Sequence, residues 1–319
     1  MNQSNWNHER SNTTTKNFIQ YEIDNDKCPL LPPDYQQCLQ RGPRHTYVFE
    51  TIDEARQAYK EGIKMQSSKH NQRKYLRGGL YKNLYFDKCN RLDVRDYGGS
   101  MNLNIKRGNG RYTFMQVRDL SHEKESLKVI KSFNETCSKD SSARNNSGDS
   151  GSMFAFGKRS VKEGDYISMR SSDDSLTDYS IVARILLEKY FSEEVKEIIE
   201  ADRNQRVTPS ELMGGSDGLS AYCLVSMDLI NAAHYDLDTS VSMTIFNERM
   251  IGKADDWYFV LPNTFAESDE KERSIIIQLF DGCAICWDGR KIFHSTATKE
   301  IHIDDGNHTY GNFWGGKKY

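Results

Sequence analysis

The chain has 319 residues, 37% hydrophobic and 28% charged, with 43 Lys and Arg against 46 Asp and Glu for a net charge of −3. This length and polarity suit one large or two modest globular units and exclude a chain disordered throughout. No apolar run approaches the roughly 18 residues of a spanning helix, and Met1-Asn-Gln-Ser-Asn-Trp6 lacks the apolar stretch of a secretory signal, so the sequence reads as intracellular, nuclear or cytoplasmic, without a membrane partner.

Residues 1–40 are polar, rich in Asn, Thr and Gln, and carry Pro29, Pro32 and Pro33, which reads as an extended or disordered arm. Residues 41–200 form a basic α/β region. Thr51-Ile-Asp-Glu54 is a capping box, and Ile52, Ala55, Tyr59 and Ile63 share a helical face, which predicts a helix over about 52–65. Gly98-Gly99 and Gly108-Asn-Gly110 bound alternating segments near Asn102–Ile105 and Tyr112–Val117, a predicted hairpin, followed by a helix at about 121–134. Residues 138–152 have only Ala143 as an apolar anchor and read as a flexible loop. Ser180 is placed to cap a helix with Ile181, Val182, Ile185, Leu186, the stem of Lys189 and Tyr190 on its apolar face, and Glu193–Ala201 continues the helical pattern.

From about residue 219 the pattern changes to short strands: 219–230, 240–247, 256–261, 274–280, 283–287, 290–296 and 308–314. Strands of this length and spacing predict a sandwich or small barrel. Asp281-Gly282 and Asp288-Gly289-Arg290 have the composition of hairpin turns. Gly214–Gly218 lacks the Lys-Ser/Thr of a phosphate cradle and reads as a loop over the barrel mouth. Of the seven cysteines only Cys283 and Cys286 have metal-ligand spacing; they fall in a predicted strand, which sends the two sulfurs to opposite faces as buried thiols.

Charge is distributed unevenly. Residues 1–170 hold 29 basic and 20 acidic side chains (+9), whereas 171–319 hold 14 and 26 (−12). Arg41 to Arg118 alone carries 17 basic against 7 acidic (+10), interleaved with aromatics such as Tyr47, Tyr59, Tyr75, Tyr81 and Tyr85. That pattern fits either a nucleic-acid surface or a solvated face over a Tyr-rich core.

The chemistry-bearing pattern is His234-Tyr-Asp236. Alternate strand positions face the same way, so the imidazole and carboxylate stand side by side. A second imidazole from a facing strand completes two His and one carboxylate, the facial set of non-haem iron(II) oxygenases. His294, 58 residues after Asp236, ends the predicted meander at a length suited to a return across a small barrel. A second such triplet, His302-Ile-Asp304, has only His308 downstream, too near for a facing strand. The alternative for His234 and His294 is two satisfied core histidines, and Asp238 is a misregistered alternative to Asp236.

The order His234-x-Asp236, Trp257-Tyr-Phe-Val-Leu-Pro262, an apolar strand, Trp287-Asp-Gly-Arg290 and His294 resembles the Fe(II)/2-oxoglutarate dioxygenases, with a TET/JBP-like flavour and a nearer likeness to uncharacterised algal and protist members. The resemblance covers about 219–316. It implies an α+β chain whose residues 201–319 form a C-terminal double-stranded β-helix, or jelly roll, with the N-terminal helical and β part as a buttress. It implies His234, Asp236 and His294 as iron ligands, O2 as co-substrate, and oxidation of a C–H bond by hydroxylation or demethylation. Most relatives hold the far carboxylate of 2-oxoglutarate with an Arg or Lys soon after the second His. Here Lys299 is the candidate, with Arg290 as the other; Arg249 and Lys253 stay open, as does ascorbate in place of 2-oxoglutarate. The favoured substrate is a modified nucleobase in DNA or RNA such as 5-methylcytosine. The rivals are an oxygenase of a small metabolite or protein side chain, and a β-helix module that binds without catalysis.

Overall fold

The computed structural model describes residues 18–19, 90–106, 112–137, 150–157, 174–230, 235–236, 238–248, 257–261, 275–292, 294–298 and 308–316. The predicted helix at 52–65, most of the basic 41–118 segment, and most of the 1–40 arm and the 138–152 loop lie outside these residues.

Strands β1 (Phe18–Ile19), β2 (Asn90–Leu92), β3 (Ser100–Lys106), β4 (Tyr112–Asp119), β5 (Ser150–Gly157), β6 (Tyr222–Ile230), β7 (Ser242–Glu248), β8 (Trp257–Leu261), β9 (Ile275–Gln278), β10 (Cys283–Trp287), β11 (Ser295–Thr298) and β12 (Thr309–Gly315) form two sheets. The larger has the order β1-β3-β4-β10-β7-β12-β6-β5 and the smaller β11-β8-β9-β2. Within the C-terminal part the chain passes back and forth between the sheets, with β6, β7, β10 and β12 in the larger and β8, β9 and β11 in the smaller. The first strand, β6, pairs with the last, β12, and β7 lies between β12 and β10, all antiparallel. This is the jelly-roll winding of a double-stranded β-helix. The predicted hairpin is β3–β4, with Ser100 opposite Arg118 and Lys106 opposite Tyr112. With β5 on the far edge, strands from before residue 200 continue the same sheet.

Strand β10 shows why the region reads as one apolar run. Cys283, Ile285 and Trp287 face the smaller sheet, joining Phe259, Leu261, Ile275 and Ile277. Ala284 and Cys286 face the opposite way, into a core covered by helices. A strand buried on both faces has no polar alternation to display. The two thiols therefore point apart, and burial pushes the Cys286 thiol well above its usual range.

Helices α1 (Lys124–Cys137), α2 (Asp174–Tyr190) and α3 (Ser192–Asn204) cover that second face. Leu127, Ile130, Phe133 and Cys137 recur at the three- and four-residue steps of a helix stripe. α2 begins six residues earlier than its predicted cap. Ser180 lies inside it, and its hydroxyl donates to Met213 O at 2.6 Å. The buried stripe is Leu176, Tyr179, Ala183, Leu186 and Leu187, and Ile185 is 65% exposed. A serine next to an apolar run has the composition of a cap, and only its tertiary acceptor reveals it as an interior residue. The Gly214–Gly218 loop also differs from expectation. It lies against α2, where Arg184 donates to Ser216 O and Gly218 O, rather than over the mouth of the barrel.

The two Asp-Gly turns depart from the hairpin expectation in the same manner. Asp281-Gly282 joins β9 to β10, yet β9 pairs with β8 and β2 while β10 pairs with β4 and β7. Asp288-Gly289-Arg290 leads from β10 in the larger sheet to β11 in the smaller one. Both are crossings between sheets. Gly282 still needs its glycine, with φ +88° and a Cβ position blocked by Ser121 N.

Candidate metal centre

Asp236 follows β6 and is fastened to the turn after β10, its backbone N–H donating to Gly289 O at 2.9 Å. That turn is built around Asp288. Its carboxylate accepts from Arg290 Nε at 2.7 Å and Nη2 at 2.9 Å and pairs with Lys291 Nζ at 2.6 Å. Burial raises the Asp288 pKa, but the hydrogen bonds from Arg290 and Lys291 outweigh it and leave the group below the usual carboxylate range. A Cβ at Gly289 would overlap Asp236 Oδ2, so the close approach of turn and carboxylate requires glycine.

His294 immediately precedes β11 and comes to the same carboxylate, with Nε2 3.5 Å from Asp236 Oδ2; the two side chains are 5% and 12% exposed. His294 Nδ1 lies 2.9 Å from Ile292 O. A carbonyl oxygen only accepts, so Nδ1 carries a proton and Nε2 is the nitrogen turned towards Asp236. The ring is fixed further by Phe259, stacked at 5.3 Å and 7°, and by the edge of Trp287 at 5.1 Å. The indole N–H of Trp287 is buried with no hydrogen-bond partner.

Two atoms bound to one transition metal at adjacent vertices, each at about 2.1 Å, stand about 3 Å apart. The donor set therefore fits a divalent transition metal. Among the described residues no group of three or more His, Cys, Asp or Glu stands together. The expected third ligand, His234, lies outside them, as do Lys299, Arg249 and Lys253.

Arg290 is placed by the structure at the centre of the turn. Besides Asp288, it donates through Nη1 to Thr239 O at 2.8 Å and pairs with Glu197 of α3 at 3.6 Å. All three guanidinium nitrogens are directed at protein oxygens. Asp238, the alternative in register, is buried beside Asp236 without standing at the imidazole, and Ser242 Oγ lies 2.9 Å from its Oδ2 and 3.3 Å from that of Asp236. Ser242, Gly289 and Gly315 are the site residues that sequence reasoning missed. A serine opening a strand and glycines in turns carry no signal until their neighbours are known.

No family model matches the sequence, and no curated protein matches it. Among solved structures, the chain is similar to NgTET1 in complex with 5mC DNA, at 11% identity and a TM-score of 0.46 over 72% of this chain and 83% of that one. It is also similar to HygX from Streptomyces hygroscopicus with nickel, 2-oxoglutarate and hygromycin B bound, at 11% identity and a TM-score of 0.33 over 63% and 82%. A third is an oxidoreductase of the 2OG-Fe(II) oxygenase family from Burkholderia pseudomallei, at 7% identity and a TM-score of 0.29 over 70% and 89%. Similarity of chain path at this level carries no chemistry, which rests on the residues themselves.

Proposed function

We propose that this protein is a non-haem iron(II) dioxygenase, with His234, Asp236 and His294 as its metal ligands. The observation that carries the reading is the His294–Asp236 pair. With Nδ1 anchored on Ile292 O, Nε2 of His294 and Oδ2 of Asp236 stand 3.5 Å apart, two metal-ligand donors side by side at a spacing a shared cation would bridge. Bound there with 2-oxoglutarate, or with ascorbate as the alternative reductant, iron(II) supplies activation of O2 for the oxidation of a C–H bond.

The chain's own residues prepare that chemistry. Ile292 O fixes the imidazole through Nδ1, Gly289 admits the Asp236 carboxylate, and Phe259 and Trp287 pack on the His294 ring with Phe313 behind Trp287. The unpartnered Trp287 N–H is a buried donor left for an oxygen of a bound molecule. Arg290 is engaged in the turn, so Lys299, next in sequence after β11, would hold the far carboxylate of 2-oxoglutarate as a point charge, with Arg249 and Lys253 as the alternatives.

The favoured substrate is a modified base in DNA or RNA, such as 5-methylcytosine. The support is the +10 segment between Arg41 and Arg118, which suits a polyanion. A base within a duplex has to leave the stack to reach a buried centre. The test is consumption of 2-oxoglutarate or ascorbate with and without iron(II), together with binding to a 5-methylcytosine duplex across a salt series. The expected result is iron-dependent consumption and affinity that falls steeply with salt. Consumption indifferent to iron would overturn the enzymatic reading, and a flat salt response would overturn the nucleic-acid one.

A further inference from the structure

Ser242 stands between two buried carboxylates. It opens β7 on the face shared with Phe246, which belongs to the core between the sheets. Its Oγ is 2.9 Å from Asp238 Oδ2 and 3.3 Å from Asp236 Oδ2. The latter is the same oxygen that faces His294 Nε2. A serine hydroxyl has one proton and can give it to only one carboxylate at a time. Asp238 is held in place for this role. It is buried, it lies in the field of Arg290, and Gly315 leaves room for it, since a Cβ there would sit 2.5 Å from Oδ2.

We propose that Asp238 is a positioning residue for the metal site, acting through Ser242: it draws the Ser242 proton away from Asp236 Oδ2 and so frees that oxygen to bind the cation. The proposal rests on the iron-site reading. Without Asp238, the Ser242 proton has Asp236 as its remaining carboxylate acceptor and competes with the metal for the same lone pair. Removing the hydroxyl as well removes the competitor. The relay thus predicts a reversal of sign that a general packing role does not produce.

Cobalt(II) titration of the full chain under anaerobic conditions, followed by its visible absorption, tests this. Asp238→Leu keeps the shape and removes the acceptor, and its cobalt affinity is expected to fall about tenfold to a hundredfold. Asp238→Asn, whose amide oxygen still accepts, is expected between that variant and the native protein. Ser242→Ala is expected to bind cobalt at least as tightly as the native chain, and Asp238→Leu/Ser242→Ala to recover to within about threefold of Ser242→Ala. The relay is overturned if Ser242→Ala alone weakens cobalt as much as Asp238→Leu does, or if the double variant shows no recovery. Ser242→Ala decides the question even if Asp238→Leu fails to fold, because weakening contradicts the relay. His294→Ala is the separate control. If the native chain takes no cobalt, or His294→Ala binds it unchanged, the iron-site reading fails first and the relay with it.

Discussion

His308 and Asp228 meet directly at 2.6 Å, with side chains 26% and 23% exposed, whereas His294 and Asp236 stand 3.5 Å apart in deeper burial. In the first pair the imidazole Nδ1 is used on the carboxylate itself. The other oxygen of Asp228 takes the Thr309 backbone N–H at 2.8 Å and the Thr309 hydroxyl at 3.1 Å. That carboxylate is saturated, and its work is to fasten the start of β12 to β6, even at the cost of a positive φ of 50° at Asp228. In the second pair Nδ1 is spent on a backbone carbonyl, and Nε2 faces the acid across 3.5 Å. The closed Asp228–His308 pair is architecture, while the His294–Asp236 pair is the one proposed to hold a cation.

The largest expected contrast between the pairs is in turnover. His294→Ala should reduce iron-dependent consumption of 2-oxoglutarate by more than about a hundredfold, since losing a ligand should exceed the effect of losing its support. His308→Ala should change it by less than about twofold. Comparable losses in steady-state assays would break the distinction. Next comes stability. Asp228→Ala strands the buried donors of Thr309 and should cost about 1–3 kcal/mol in urea unfolding, with the cobalt affinity of the folded protein retained. Lost cobalt affinity would show that the two corners are coupled.

The smallest effect concerns the turn that carries the open pair. Burial raises the Asp288 pKa, and the bonds from Arg290 and Lys291 lower it further than burial lifts it. Its contribution to stability is therefore present above the usual carboxylate value of 3.8 and is lost as pH falls through the depressed one. Asp288→Asn should flatten the acid limb of the stability profile below about pH 4 and leave its shape above about pH 6 unchanged. An unaltered acid limb in thermal melts would remove Asp288 as the electrostatic clasp of the turn.

Much of the fold could be read along the chain. The β3–β4 hairpin, α1 to within three residues, α3 and most of the later strands follow from local alternation and helix stripes. The misreadings share one cause. Ser180, Asp281-Gly282 and Asp288-Gly289 each have the composition of a local device, a cap or a hairpin turn, while their partners are distant: Met213, Phe246 and Asp236. Composition reports what a residue can do locally and is silent on which distant group will use it. At the candidate site, spacing nominates His234, Asp236 and His294, of which the described residues include the last two, 3.5 Å apart; Arg290, the second anchor candidate, has its donors taken by Asp288 and Thr239.

The order and length of the strands, the basic stretch ahead of an acidic half, and the candidate donors are properties of the sequence, because periodicity, charge and residue type are local and need no partner to be seen. The approach of Asp236 to His294, the anchoring of the His294 ring on Ile292 O and the placing of the Ser242 hydroxyl between two acids were decided only on folding. Distances and hydrogen-bond directions belong to pairs of groups, and a jelly roll makes its pairs from strands remote in the chain, between sheets that come together only when the core is buried.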